Sequence, residues 1–224
     1  MVPSNMSLRV AKLYKERFSP EEVERKNRMW RVLCTDFFQR FVPEDSIVLD
    51  IGAGYCEFIN NIRARRKYAV DLNQDTRTYA NQDVEVFTSS ANDLHFLPPD
   101  SVDIAFMSNL LEHMQCKEEV LQVLVEVHRV CKPGGRVLIL QPNIRYVHDQ
   151  YWDFFDHRTP LSDRSLAEAL MIAGFEIVRI YPRFLPYTTK SGLPKAALLV
   201  RLYLRVRPAW WILGKQAFVI GRKL

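Results

Sequence analysis

Paired cysteines, long apolar runs and, toward one end, acids are what this sequence lacks. The 224 residues include only four cysteines, Cys34, Cys56, Cys116 and Cys131, and none stands in a CxxC pair. That spacing argues against a zinc site or a disulfide framework and for a reducing compartment. No metal-ligand set is expected. The longest apolar stretches, near 196–213, are cut by Arg201, Arg205 and Arg207. None reaches the roughly 18–20 residues of a membrane-crossing helix. The opening residues, MVPSNMSLRVAKLYKERF, carry no apolar h-region, so no secretory signal is expected. These absences predict a cytoplasmic chain, at most peripheral on the inner membrane surface. Acids end at Glu176: residues 1–176 hold 21 Lys and Arg with all 26 Asp and Glu, whereas residues 177–224 hold 10 Lys and Arg and no acid. A basic segment after an acidic body points either to an anionic partner or to ordinary solvated surface.

What is present is globular: 48% hydrophobic and 25% charged residues. Residues 8–18 and 20–41 read as helices. Ser19 can cap the second, Pro20 suits its first turn, and Glu21, Glu22 and Glu24 favour the positive helix end. After Pro43, β-branched runs (46–51, 68–71, 83–87, 102–107, 135–141, 175–181) alternate with helical spacing (55–65, 74–80, 116–131, 163–173). That alternation predicts a Rossmann-like, doubly wound α/β fold with a mostly parallel sheet. A helix at 195–206 and a last strand at 217–220 complete a seven-stranded mixed sheet. The expected domains are an N-terminal helical cap, 1–44, and an α/β domain, 45–224, carrying a long connection at 142–161 and a basic, apolar insertion at 182–215.

The segment Asp50-Ile51-Gly52-Ala53-Gly54 runs from a buried strand through a glycine turn into the next element. Glycines permit the turn and let a ligand approach the backbone. The second strand then ends in Asp71, placed to accept hydrogen bonds from a ribose. Glu57 occupies the third position of a GxGxxG, where a carboxylate repels phosphate. A nucleoside with a cationic or zwitterionic tail therefore fits better than a dinucleotide.

Together with Asp100-Ser101-Val102-Asp103-Ile104-Ala105, Ser108-Asn109-Leu110-Leu111-Glu112-His113 and the run from Glu126 to Gly135, these motifs resemble a class I S-adenosylmethionine-dependent methyltransferase over residues 45–181. The resemblance implies S-adenosyl-L-methionine as cofactor. It puts Gly52 and Gly54 beside the methionine part, Asp50 below its amino group, Asp71 on the ribose and Leu72 against adenine. Ser108 and Asn109 would face the amino group and the transferable methyl. Many members carry an acid before the adenine-contacting backbone. Here that position holds Ser90-Ala91, with Asn92 or Asp93 as substitutes.

In this fold the acceptor lies over the C-terminal ends of the strands, so the 142–161 connection matters most. It carries His148 and His157 with Asp149, Asp153 and Asp156 among aromatic residues. An oxygen acceptor needs a base, and an ordinary imidazole titrates near neutral pH. His157 is the first candidate, with Asp156 or Asp153 to orient it and His148 next; the other reading of His157 is a brace for the loop. His113 reads as a packing or bracing residue. Nucleic-acid amino-methylating relatives typically carry Pro-Pro after the fourth strand, and cytosine C5 relatives a Pro-Cys; neither dipeptide is present there. The loop Tyr151-Trp152-Asp153-Phe154-Phe155-Asp156-His157 with the segment Phe184-Leu185-Pro186-Tyr187-Thr188-Thr189-Lys190 is similar to a methyltransferase subgroup found with glycan-assembly enzymes.

The helix at 195–206 is apolar nearly all round. It can bury itself against its own domain, against a second subunit in a homodimer, or in an anionic membrane surface through 184–215. The expectation is O-methylation of a small molecule, glycan or lipid-linked sugar. The alternatives are an RNA methyltransferase using the basic segment, the less favoured partner, and a non-catalytic cofactor-binding scaffold.

Overall fold

The computed structural model describes residues 20–187 and 197–224. The predicted helix 8–18 and the stretch 188–196 of the insertion lie outside the described residues. Helix α1 (Pro20–Asp36) has Glu21 and Glu22 in its first turn, as expected. It stops short of residue 41. Phe37 leaves helical geometry at φ −130 and ψ −61, and a 3-10 turn, Phe38–Phe41, follows. Burial explains the break. Phe37 stacks on Phe184 at 4.2 Å while Phe38 packs edge-on to Phe106 at 5.5 Å, so neighbouring rings both turn inward.

The alternation then proceeds through β1 (Ile47–Ile51), β2 (Arg66–Asp71), α2 (Thr76–Tyr79), β3 (Val84–Thr88), β4 (Val102–Ser108), α3 (Lys117–Val130) and β5 (Cys131–Pro142). It closes with α4 (Ile144–Val147), α5 (Asp163–Ile172), β6 (Phe175–Tyr181), α6 (Ala197–Arg205), α7 (Arg207–Leu213) and β7 (Gln216–Lys223). The seven strands run in the order β3-β2-β1-β4-β5-β7-β6, and β7 alone runs opposite to the rest. This is the doubly wound mixed sheet the alternation predicts.

One predicted element is absent. Residues 55–65 form consecutive turns rather than a regular helix. Gly54 (φ 50) and Cys56 (φ 59) are both left-handed, which delays helical geometry. The Asn61 amide then donates to the Glu57 carbonyl, taking an acceptor a helix would use.

Alternation along each strand sends side chains to two cores. Leu49, Ile51, Ala105 and Met107 face an aliphatic core shared with α3 and α5. Val48, Ile104 and Phe106 face an aromatic core shared with α1, Phe184, Trp210 and Phe218. In the insertion, α6 buries Leu204 and leaves Leu198 and Leu202 exposed, so it covers less of its apolar surface than its composition suggests.

The register decides where chemistry can occur. Ile51 lies beside Val70 on one side and Met107 on the other, and Met107 lies beside Ile139. Gly52, Asp71, Ser108 and Gln141 therefore emerge along one edge of the sheet.

Candidate active site

At the C-terminal end of β1 the glycine turn is built from backbone. The N–H groups of Gly52 and Ala53 both donate to the Val70 carbonyl, at 2.9 and 3.2 Å. Gly52 has φ +70, and a Cβ there would come within 2.8 Å of Leu110. Gly54 has φ +50, but a Cβ there would meet nothing within 4 Å. The Gly54 backbone thus faces open space, as a ligand cradle requires. Its N–H donates to Asp71 Oδ2 at 2.8 Å, and the Asn73 N–H donates to Asp71 Oδ1 at 2.8 Å. A carboxylate with one bond at each oxygen keeps lone pairs for two ribose hydroxyls. Leu72, next in sequence, is 72% exposed at the rim, where a flat base can cover it.

Asp50 lies sealed beneath the turn. Burial pushes its carboxyl well above the ordinary range, and Glu57 adds to the effect, while the Ile59 N–H works against it. Glu57 is held by Lys26 of α1 at 2.9 Å. Burial likewise pushes the Cys56 thiol up, so that residue is a packed thiol rather than a reactive one. On the adenine side, Ser90, Ala91 and Asn92 are half-buried. Asp93 is engaged instead with His95 Nδ1 at 2.7 Å, so of the two substitutes Asn92 is the one not tied to that pair.

Beyond β4, Ser108 leads to Asn109, which is left-handed at φ 51 and exposed. The next residues bend back over the sheet. Glu112 is buried at 3% exposure, and burial pushes its carboxyl up to about 8, with Asp156 adding to the effect. Its Oε2 has no hydrogen-bond partner among the described residues. The Glu112 carbonyl accepts the N–H groups of Arg158 and Thr159, at 2.8 and 3.2 Å, which ties the 142–161 connection to the end of β4.

That tie brings two histidines together. The rings of His113 and His157 are 5.1 Å apart. His113 Nδ1 is 3.1 Å from the Asp156 carbonyl and 3.6 Å from its carboxylate. His157 Nδ1 is 3.2 Å from the Tyr187 hydroxyl, and its ring stacks on Phe154 at 4.9 Å. Tyr151 lies beneath at 4.8 Å from His157. Burial raises the phenols of Tyr151 and Tyr187, and Glu112 raises both further.

His157 and Asp156 therefore lie in one cluster, with Asp156 against His113. His148 is exposed at φ 51, and among the described residues no hydrogen bond or ring contact joins it to the cluster. Sequence reasoning passed over Glu112 and Tyr187. Glu112 carried a signal, since it directly follows the strand-end motif; Tyr187 is brought in from the far side of β6. Asn143, fully buried, donates to Asp163 at 2.8 Å and to the Pro182 carbonyl at 2.9 Å, bracing the start of the acceptor connection.

The sheet order with its antiparallel β7 and the glycine turn define the class I methyltransferase fold. Residues 49–139 match the protein family described as "Methyltransferase domain". Several solved structures have the same fold. A SAM-dependent methyltransferase from Archaeoglobus fulgidus is 22% identical with TM-score 0.62, over 86% of this chain and 94% of that one. One from Aquifex aeolicus is 20% identical with TM-score 0.59, over 92% and 100%. A Haloferax volcanii methyltransferase, in complex with the Trm112 methyltransferase activator, is 17% identical with TM-score 0.63, over 88% and 90%. A search of curated proteins finds no match. The matched domain implies S-adenosyl-L-methionine as cofactor, and the open Gly54 backbone, Asp71 and Leu72 fit it.

Proposed function

We propose that the chain is an S-adenosylmethionine-dependent methyltransferase acting on an oxygen of a hydroxyl-bearing acceptor: a small molecule, glycan or lipid-linked sugar. One observation carries the acceptor class. Among the described residues, buried polar atoms without partners recur at and after the strand ends, on Glu112 Oε2 and both amide atoms of Gln141, with Gln216 Oε1 opposite. Buried polar groups ordinarily have partners, and a polyhydroxylated molecule supplies donors and acceptors together. His157, His113 and Asp156 form the end of the site able to handle the hydroxyl proton. The fold contributes alignment of oxygen, methyl and sulfur, which is worth on the order of 7–11 kcal/mol.

Calorimetry with S-adenosylmethionine and S-adenosylhomocysteine tests the cofactor. Methyl acceptance by fractionated cell extract tests the reaction: turnover with a polar, periodate-sensitive fraction supports the acceptor class, and turnover only with RNA overturns it.

A specific observation favours a lipid-linked acceptor presented at an anionic surface. Arg40, Arg201, Arg205 and Arg207 line a pocket of about 490 Å³ with Asp36 as its one acid. Leu198, Leu202, Trp211 and Ile212 stand exposed on the same two helices. Basic and apolar groups together suit a headgroup layer. Among the described residues no helix is long and apolar enough to cross a membrane, so attachment would be at the surface. Flotation with vesicles containing phosphatidylglycerol tests it; absence of binding at low salt removes it.

A further inference from the structure

We infer that Glu112, His113 and His157 form a binding site for one divalent first-row transition cation. The inference rests on the methyltransferase reading of the same site and adds a ligand to it. One carboxylate oxygen and one nitrogen from each ring all lie within 4.8 Å of one another. Ligands sharing one ion with bonds of about 2.1 Å lie roughly 3–4.2 Å apart, so small rotations of the side chains close the site.

Four features distinguish this group from an accidental cluster. The first is chemical: two imidazoles and one carboxylate suit borderline ions such as Mn²⁺, Co²⁺ and Zn²⁺ over Ca²⁺ or Mg²⁺. The second is burial. Glu112 is enclosed, and its Oε2 has no hydrogen-bond partner among the described residues. An orphaned carboxylate oxygen beside two rings is a costly arrangement that a cation relieves. The third is orientation. Nδ1 of His113 faces the Asp156 carbonyl, and Nδ1 of His157 faces the Tyr187 hydroxyl. Metal-binding histidines are held in this way through one ring nitrogen while the other coordinates. The fourth is count: three protein ligands leave positions for an exogenous oxygen, the pattern of catalytic rather than structural sites.

The cation's open position takes the acceptor hydroxyl and lowers its pKa. The hydroxyl proton passes to solvent. The O–CH₃ bond then forms as the C–S bond of the sulfonium breaks, and the electron pair stays on sulfur in S-adenosylhomocysteine. His157 on this reading is a ligand whose ring is oriented by Tyr187.

The test is calorimetric and spectroscopic. The full chain is stripped with a chelator, dialysed, and titrated separately with MnCl₂ and CoCl₂, the latter also followed by visible absorption. The expected result is one equivalent bound, d–d bands with Co²⁺, and a rise in Tm on loading. Glu112→Gln and His157→Gln are each expected to weaken binding at least tenfold, whereas His95→Ala, at the surface pair with Asp93, leaves it unchanged. No stoichiometric binding by wild type overturns the inference, as does equal binding by the wild type and both site variants, or loss of binding in His95→Ala. If Glu112→Gln does not fold, His157→Gln with the Co²⁺ spectrum carries the test. S-adenosylhomocysteine is titrated into the same preparation: binding of the nucleoside without any cation overturns the metal site alone, and failure of both overturns the methyltransferase reading beneath it.

Discussion

The glycine turn and the histidine cluster stand on neighbouring strand ends, yet they are made in opposite ways. The turn is a local device. Gly52 and Ala53 are fixed by backbone bonds to Val70, and Gly54 by a bond to the Asp71 carboxylate, one strand away. The cluster is assembled from three distant stretches: Glu112 and His113 after β4, Tyr151 to His157 in the long connection, and Tyr187 beyond β6. Backbone geometry fixes the first site, and an added Cβ at Gly52 would strike Leu110. The second depends on side chains that each lean on another.

The largest effect should follow from filling the cradle. Gly52→Val collides with Leu110 and occupies a positive φ, and calorimetry is expected to find no measurable S-adenosylhomocysteine binding. Gly54→Ala sharpens the point. Nothing lies within 4 Å of its Cβ, so the apo protein loses only the left-handed penalty, about 1–2 kcal/mol. Cofactor affinity should nevertheless fall by two orders of magnitude or more. If Gly54→Ala binds normally, the open backbone is not a cradle.

Next in size is Asp71→Ala, which removes the acceptor of the Gly54 and Asn73 N–H groups as well as any ribose bond. A loss of cofactor affinity of about 10–100-fold is expected from one charged hydrogen-bonding partner, with little change in far-UV circular dichroism. At the other end, Tyr187→Phe deprives His157 of its Nδ1 partner. Turnover should fall roughly tenfold, as removal of such an orienting group usually brings, while cofactor affinity measured by calorimetry stays put. An equal fall in both would mean that the two ends are not separable.

The smallest effect concerns Asp50. Because its folded carboxyl is raised above the ordinary 3.8, chiefly by burial, the fold prefers the protonated form. Its contribution to stability is present below about pH 4 and is lost as the pH rises toward the folded value. Asp50→Asn cannot ionise. Its apo Tm should exceed the wild type's at neutral pH by a few degrees, and the gap should close as the pH falls toward 4. Differential scanning fluorimetry across pH decides it.

Much of the glycine turn and its flanking strand ends was legible in the sequence because the signals there are short-range. Asp50, Gly52, Gly54 and Asp71 keep their meaning within one β-turn-β unit, and strand periodicity places Ser108 level with them. Where local rules fail, a named competitor wins. The helix expected at 55–65 yields to left-handed Cys56 and to the Asn61 amide; the helix expected to reach 41 yields to the inward turn of Phe37 and Phe38. At the acceptor end the residue types were visible but not their partners. His157 stood out among the aromatic residues of its connection, yet nothing short-range joins it to His113 or Tyr187. Tertiary contacts do so: the Glu112 carbonyl holds Arg158 and Thr159, Asp156 meets His113, and Tyr187 meets His157. His148 shows the converse: a suitable residue type in the same connection, turned out to solvent.

The antiparallel β7 has a consequence for how the chain acquires its shape. Among the described residues strand β6 has no neighbour in the sheet except β7, and β7 fills the place between β5 and β6. The sheet therefore cannot zip up in the order of synthesis. Residues 131–181 supply β5 and β6 with an open slot between them, and only the arrival of residues 216–223 closes it. Pairings that span so much chain form slowly, and an open strand edge invites intermolecular pairing while it lasts. The same arrival brings Gln216, whose backbone and side chain hold the segment at Leu185 and Tyr187. The glycine turn can thus organise early, whereas the histidine cluster has to wait for the last strand to dock, and a nascent chain in between is the species a chaperone would meet.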